Sequence, residues 1–193
     1  MEKHTDITII LDRSGSMDLI KSATIEGFNK FLQAHKSEGT NVKISLVKFN
    51  HECNLAFEEK KIKNKYFLND ANFIPNGSTA LLDAIGKTIE SVDKRIEKHT
   101  AEPRVIIAII TDGHENDSRL FNQNDIKKSV KKRINKHNWN FVYLGANQDA
   151  IFEGKRLGIS SDYSHNFKAS KVGVKRAFNT VIKQSIALSK ENL

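Results

Sequence analysis

The chain has 193 residues, 38% hydrophobic and 28% charged, with 31 Lys+Arg against 23 Asp+Glu for a formal net charge of +8. That length suits one domain of roughly 100–200 residues, read here as a single domain over 1–193, and the composition excludes a disordered polymer. The lone cysteine, Cys53, excludes an intramolecular disulfide. No stretch has the roughly 18–20 apolar residues of a membrane span or a signal-like leader, so a reducing, cytoplasmic setting is expected.

The first element is the uncharged run Ile7–Leu11, a strand buried on both faces that stops at Asp12. Apolar residues at Ile20, Thr24, Phe28, Phe31 and Leu32 have helical spacing to about Lys36, with Asp18 near the helix start and Gly39 ending the connection. Val42 to Phe49 reads as a strand, and Asn50-His51-Glu52 as a hairpin turn into an edge strand from Cys53 to Phe57. The charged run Glu58 to Lys65 reads as a solvated loop or an exposed helical turn, and Phe67, Leu68, Phe73 and Ile74 return to the core. Pro75 to Thr79 is a turn in which Ser78 or Thr79 can cap the helix marked by Leu82, Ile85, Ile89, Val92 and Ile96. Val105–Ile110 is the most apolar run, a central parallel strand ending at Thr111-Asp112-Gly113. After the polar loop from His114 to Asn124, Ile126, Val130 and Ile134 mark a helix with lysines on its outer faces. Trp139 to Leu144 is a strand ended by Gly145, and Asp149 to Leu157 a short helix. Ser164 to Phe167 is a short last strand, and Lys171 to Leu188 the closing helix. The alternation implies an α/β fold with a mostly parallel sheet covered on both faces.

Two buried strands thus end on acidic residues, Asp12 and Asp112. In open α/β sheets, ligands bind beyond the carboxyl ends of the strands, where strand order reverses. Asp12, Ser14, Ser16, Thr79 and Asp112 can converge at that edge as a hard-oxygen cluster suited to Mg²⁺. Asp-x-Ser-x-Ser at 12–16, Gly-Ser-Thr-Ala-Leu at 77–81 and Ile-Thr-Asp-Gly at 110–113 together resemble a von Willebrand factor A domain with a metal-ion-dependent adhesion site, of the intracellular bacterial or phage type. The resemblance covers Asp6 to about Leu188.

It implies a doubly wound, Rossmann-like sheet of six strands with one antiparallel edge strand and helices on both faces. It also implies that Ser14 and Ser16 bind the metal directly, and Thr79 in the ligand-competent state. Asp12 and Asp112 would act through waters or exchange into direct contact. The ion would be Mg²⁺, with Mn²⁺ or Ca²⁺ as substitutes. It would bridge to a Glu or Asp carboxylate of a protein partner in a non-enzymatic, multiprotein setting.

Each residue also has a plainer reading. Asp12, Ser14 and Ser16 can be a capping cluster, Thr79 a helix cap, and Asp112 an Asp-Gly turn residue. Asp83 either supports a hydroxyl ligand or faces solvent at the helix start. His114 and Glu115 shape the rim or belong to a solvated loop. His4 and His51 show no ligand spacing, Cys53 is a small core filler, and Gly77 and Gly113 serve tight turns. Two other functions compete. A metal-dependent hydrolase or phosphatase could use the same ion, although no P-loop, His-Glu-x-x-His or Gly-x-Ser-x-Gly is present. A nucleic-acid binder would exploit the +8 charge, but no aromatic-interleaved basic stripe accompanies it.

Overall fold

Alternate side chains of the first strand face opposite ways, and both sets are buried. That strand, β1 (Thr5–Asp12), is buried at every residue. The computed structural model describes residues 4–38, 41–146 and 149–190; Gly39, the expected end of the first connection, lies outside them. A 3₁₀ turn (Gly15–Ile20) leads from β1 into α1 (Lys21–Ser37). There follow β2 (Val42–Phe49), β3 (Cys53–Lys60), α2 (Leu81–Ile96) and β4 (Arg104–Thr111). The chain continues through α3 (Gln123–His137), β5 (Asn140–Ala146), α4 (Ala150–Leu157), β6 (Ser164–Phe167) and α5 (Lys171–Lys190). The strands form one sheet in the order β3-β2-β1-β4-β5-β6. Every neighbouring pair is parallel except β2 and β3. This is the mostly parallel, six-stranded, Rossmann-like architecture expected, and β3 is its antiparallel edge.

The strand period of two sorts the core into two layers. Ile7, Ile9 and Leu11 of β1 join Ile106, Ala108 and Ile110 of β4 beneath α1 and α5, around Phe28, Phe31 and Phe178. Ile10 joins Val105, Ile107 and Ile109 beneath α2, α3 and α4, around Ile85, Ile89 and Val130. No helix among the described residues is long and apolar enough to cross a membrane.

The run after Cys53 departs from expectation. Glu58 to Lys60 is strand, not loop or helical turn. Two of its charges are answered by other elements: Arg95 Nη1 of α2 donates to Glu58 at 2.9 Å, and Lys43 Nζ of β2 to Glu59 at 2.7 Å. A bulge between Ile44 and Leu46 breaks the β2–β3 register beside these residues. Ile74 also departs from expectation. It is 56% exposed, whereas Leu68 and Phe73 are buried.

A buried ion pair fastens α2 to the sheet. Asp6 shares one face of β1 with Thr8, and Arg95 reaches both. Arg95 donates to the two Asp6 oxygens at 2.8 and 2.9 Å and to Thr8 Oγ1 at 2.9 Å. Asp6 is fully buried and Arg95 is 5% exposed. Removing one partner of such a pair strands the other charge, so Arg95→Met is expected to cost roughly 3–5 kcal/mol. The double variant Asp6→Leu/Arg95→Met is expected to recover much of that loss, as read by urea unfolding.

A second buried contact ties α1 to α5. The Ser185 hydroxyl donates to the Val181 carbonyl and so accepts from Nε2–H of His35 at 2.8 Å. Burial lowers the His35 pKa from 6.5 to about 4. The unfolded chain therefore takes up this proton first. The stabilisation is complete above pH 6.5 and is lost as pH falls toward about 4, a swing of roughly 3 kcal/mol. His35→Gln is expected to flatten the stability profile across that window, measured by denaturant midpoints at stepped pH.

Candidate metal site

The carboxyl ends of β1 and β4 lie side by side, and the connections from them leave toward opposite edges of the sheet. A crevice forms at such a switch point. Asp12 closes its floor. The residue is fully buried, yet both carboxylate oxygens have partners. One accepts from the Ser14 amide at 2.6 Å, a local Asx turn, and the other from the Thr111 hydroxyl at 2.6 Å. The turn lifts the Ser14 and Ser16 hydroxyls to within 3.1 Å of each other, and Ser16 donates to Asp112 Oδ1 at 2.6 Å. Asp12, Ser14, Ser16 and Asp112 thus make one contiguous chain of oxygens, running from a buried floor to an exposed mouth at Ser16.

Thr79 comes from the other side and is 3% exposed. Its hydroxyl and that of Ser16 flank Gly113. A Cβ at Gly113 would stand 3.0 Å from Thr79 Oγ1 and 3.7 Å from Ser16 Oγ. A side chain at Gly113 would crowd the Thr79 hydroxyl, which would have to shift by a few tenths of an ångström. Gly77 is required by its backbone, with φ at +73°.

The loops after β1 and β2 and the loop before α2 are sewn together through their backbones. Arg13 N donates to Phe49 O, Asn76 N to Arg13 O, Gly15 N to Gly77 O and Ala80 N to Asn50 O, all at 2.7–3.0 Å. Asn50, read from sequence as a turn residue, is fully buried. Its Nδ2 donates to the Asn76 carbonyl at 2.8 Å and its Oδ1 accepts from Glu52 N at 2.9 Å.

Neither Ser78 nor Thr79 caps α2. Its first residue follows Ala80, which has no capping side chain. The loop after β4 supplies the acceptors instead. Glu115 accepts from Leu82 N at 2.8 Å, Ser118 Oγ from Asp83 N at 3.1 Å and Asn116 Oδ1 from Thr79 N at 2.9 Å. Asp83 repays the loop, accepting from the amides of Arg119, Leu120 and Phe121 at 2.9–3.0 Å. Both sequence readings of Asp83 are thereby corrected: it neither supports a ligand hydroxyl nor faces solvent. Burial would raise its pKa, but these three amides outweigh it and hold the carboxyl low. Glu115 is likewise a capping residue, not a rim or solvent group, while His114 is exposed.

The electrostatics call for a cation. Burial pushes the Asp12 carboxyl up to about 6, against the pull of its Thr111 and Ser14 hydrogen bonds. Burial also raises Asp112, offset in part by Ser16. Among the described residues no Lys or Arg pairs with either carboxylate. Neighbouring ligands on an octahedral ion with bonds of about 2.0–2.1 Å lie about 2.9 Å apart, close to the serine spacing. The all-oxygen set therefore fits a hard divalent cation.

A sequence model of the von Willebrand factor type A domain matches residues 6–181. The chain belongs to the von Willebrand factor A family. No curated protein matches the sequence. Among solved structures, this A domain resembles proximal thread matrix protein 1 of the mussel byssus, solved with a zinc-occupied adhesion-site motif, at TM-score 0.69 and 15% identity over 95% of this chain and 48% of that one. It also resembles the pilus adhesin SpaC of Lactobacillus rhamnosus GG, at TM-score 0.70 and 16% identity over 98% and 31%. A third is the ArnB paralog VWA2 of Sulfolobus acidocaldarius, at 0.62 and 17% over 95% and 45%. The chain spans half or less of each of these relatives.

Loss of the Asp83 acceptor would strand three loop amides. Asp83→Ala is expected to cost about 2–4 kcal/mol. It should also speed hydrogen exchange at Arg119–Phe121 ahead of exchange in β4.

Proposed function

We propose that this A domain is a non-enzymatic, Mg²⁺-dependent protein-binding module that captures an acidic side chain of a partner. The observation that carries the reading is the oxygen cluster built on the buried Asp12 carboxylate, which pairs with no Lys or Arg among the described residues. The Ser14, Ser16 and Thr79 hydroxyls and the carboxylates of Asp12 and Asp112 would hold the ion. A divalent cation there would supply a Lewis-acidic position for an incoming carboxylate, because neutral hydroxyls compensate little of its charge. Asp12 fixes the Ser14 turn, Thr111 fixes Asp12, and Gly113 keeps the mouth clear.

The surroundings favour a protein ligand. Each site loop carries a large exposed apolar side chain: Leu19 is 90% exposed, Ile74 56% and Leu120 65%. Together they would form a rim around a charged centre, where apolar contact adds affinity to the metal-borne contact. The net charge of +8 favours acidic partners. A cytoplasmic multiprotein assembly of the bacterial or phage kind is the setting proposed.

Asp12→Ala is expected to abolish Mg²⁺-dependent capture of partners from native lysate while leaving the circular dichroism spectrum unchanged. EDTA should have the same effect on the wild type, and Mn²⁺ should restore binding. Capture that survives both EDTA and the substitution refutes the metal bridge. Phosphatase activity lost in the variant would favour the hydrolase, and RNA binding sensitive only to salt would favour the nucleic-acid reading.

A further inference from the structure

At the other end of the sheet, three residues distant in sequence meet. His4 precedes β1, Glu59 lies in β3, and His99 follows α2. One ligand atom from each falls within 4.8 Å of the other two. His4 Nε2 lies 3.3 Å from Glu59 Oε1, and His99 Nε2 lies 2.5 Å from the same oxygen. The two imidazoles meet edge to face, with centroids 4.8 Å apart, so both can turn a nitrogen toward one point. His4 is 6% exposed, and neither Nε2 has a hydrogen-bond partner of acceptable geometry. Buried imidazole nitrogens that face a carboxylate without a well-directed hydrogen bond call for an explanation.

The backbone supports the same point. Glu59 has φ at +50°, a left-handed conformation uncommon outside glycine, beside the β2–β3 bulge. Its amide donates to the buried Ser45 hydroxyl at 2.9 Å, which fixes the bulge and turns the carboxylate toward the histidines. Backbone strain of this kind gathers at functional sites.

We infer that His4, Glu59 and His99 form a second metal site, which takes Zn²⁺ or a similar borderline divalent ion through two imidazole nitrogens and one carboxylate. This donor set is chemically unlike the all-oxygen cluster at Asp12, and it matches ligands that zinc uses when a fourth position is left for water. A cavity of about 250 Å³, lined in part by His4, Lys43, His99 and Thr100, provides room for that water. Ligands on a tetrahedral zinc lie about 3.3 Å apart, so His4 and Glu59 already have the spacing, whereas His99 stands closer to Glu59 than that and its ring would turn to set its distances to both other ligands. His99 lies in the turn beyond α2, where a ring can move without disturbing the helix. Lys43 is the built-in competitor. Its ammonium sits 2.7 Å from the same Glu59 oxygen, and zinc would displace it toward solvent. The bound ion would staple edge strand β3 to the start of β1 and to the α2–β4 connection.

The test uses the full chain with Ser14→Ala and Ser16→Ala, so that the first site cannot report. Stripped of metal, this protein is titrated with Zn²⁺ by calorimetry and with Co²⁺ by visible absorption. We expect about one equivalent to bind, with cobalt bands of nitrogen-containing tetrahedral coordination. Adding His99→Gln, a change at a partly exposed ring, should weaken zinc binding by roughly tenfold or more. Adding Lys43→Met should instead tighten it several-fold by removing the competing ammonium. A simple ion-pair hub around Glu59 predicts no saturable zinc binding. That outcome overturns the proposal, as does binding that both additional variants leave unchanged.

Discussion

Asp12 puts a carboxylate at the dry end of the central strand, and much of the upper sheet edge follows from that. A buried carboxylate must be hydrogen-bonded or neutralised. One oxygen takes the Ser14 amide and so folds the turn that presents Ser14 and Ser16. The other takes the Thr111 hydroxyl and so locks β1 to β4 one residue before Asp112. Hydrogen bonds answer the geometry of the carboxylate without supplying a counter-charge. Burial therefore still drives its pKa upward, and an added cation is the natural completion.

Around this centre, the loops hold one another more than they are held by their own helices. The start of α2 borrows its caps from the loop after β4, and Asp83 returns three hydrogen bonds to that loop. Reciprocal capping satisfies the orphan amides of the helix. It also makes the Thr79 and Asp112 segments a single mechanical unit. A ligand group on one is then positioned by groups on the other, as preorganised sites require. The lower edge of the sheet is built on different chemistry. There Asp6 and Arg95 form a closed, fully paired contact, whereas the His4 and His99 nitrogens face Glu59 without a well-directed hydrogen bond.

Much of this was legible in the residues. Uninterrupted apolar runs marked β1 and β4, and the positions of Asp12, Ser14, Ser16, Thr79 and Asp112 indicated one sheet edge, where the folded chain gathers them. The antiparallel edge strand was recognisable from its hairpin. Less legible were features whose partners come from elsewhere in the chain. The Glu58–Lys60 segment looked solvated because its answering charges, Arg95 and Lys43, lie on other elements. Ile74 looked like core, yet it is exposed.

The sequence by itself determined what local physics can encode: side-chain periods of two and 3.6, the Asx turn at Asp12, and glycine where φ turns positive at Gly77. Those are set by neighbours a few residues apart. Only the tertiary structure decided that Asp83 and Glu115 serve as reciprocal caps, that Asn50 is a buried clamp, and that His4 meets Glu59 and His99. In each case the partner lies roughly 25 to 55 residues away or more, and no pattern within a helical turn or a strand registers a hydrogen bond of that span.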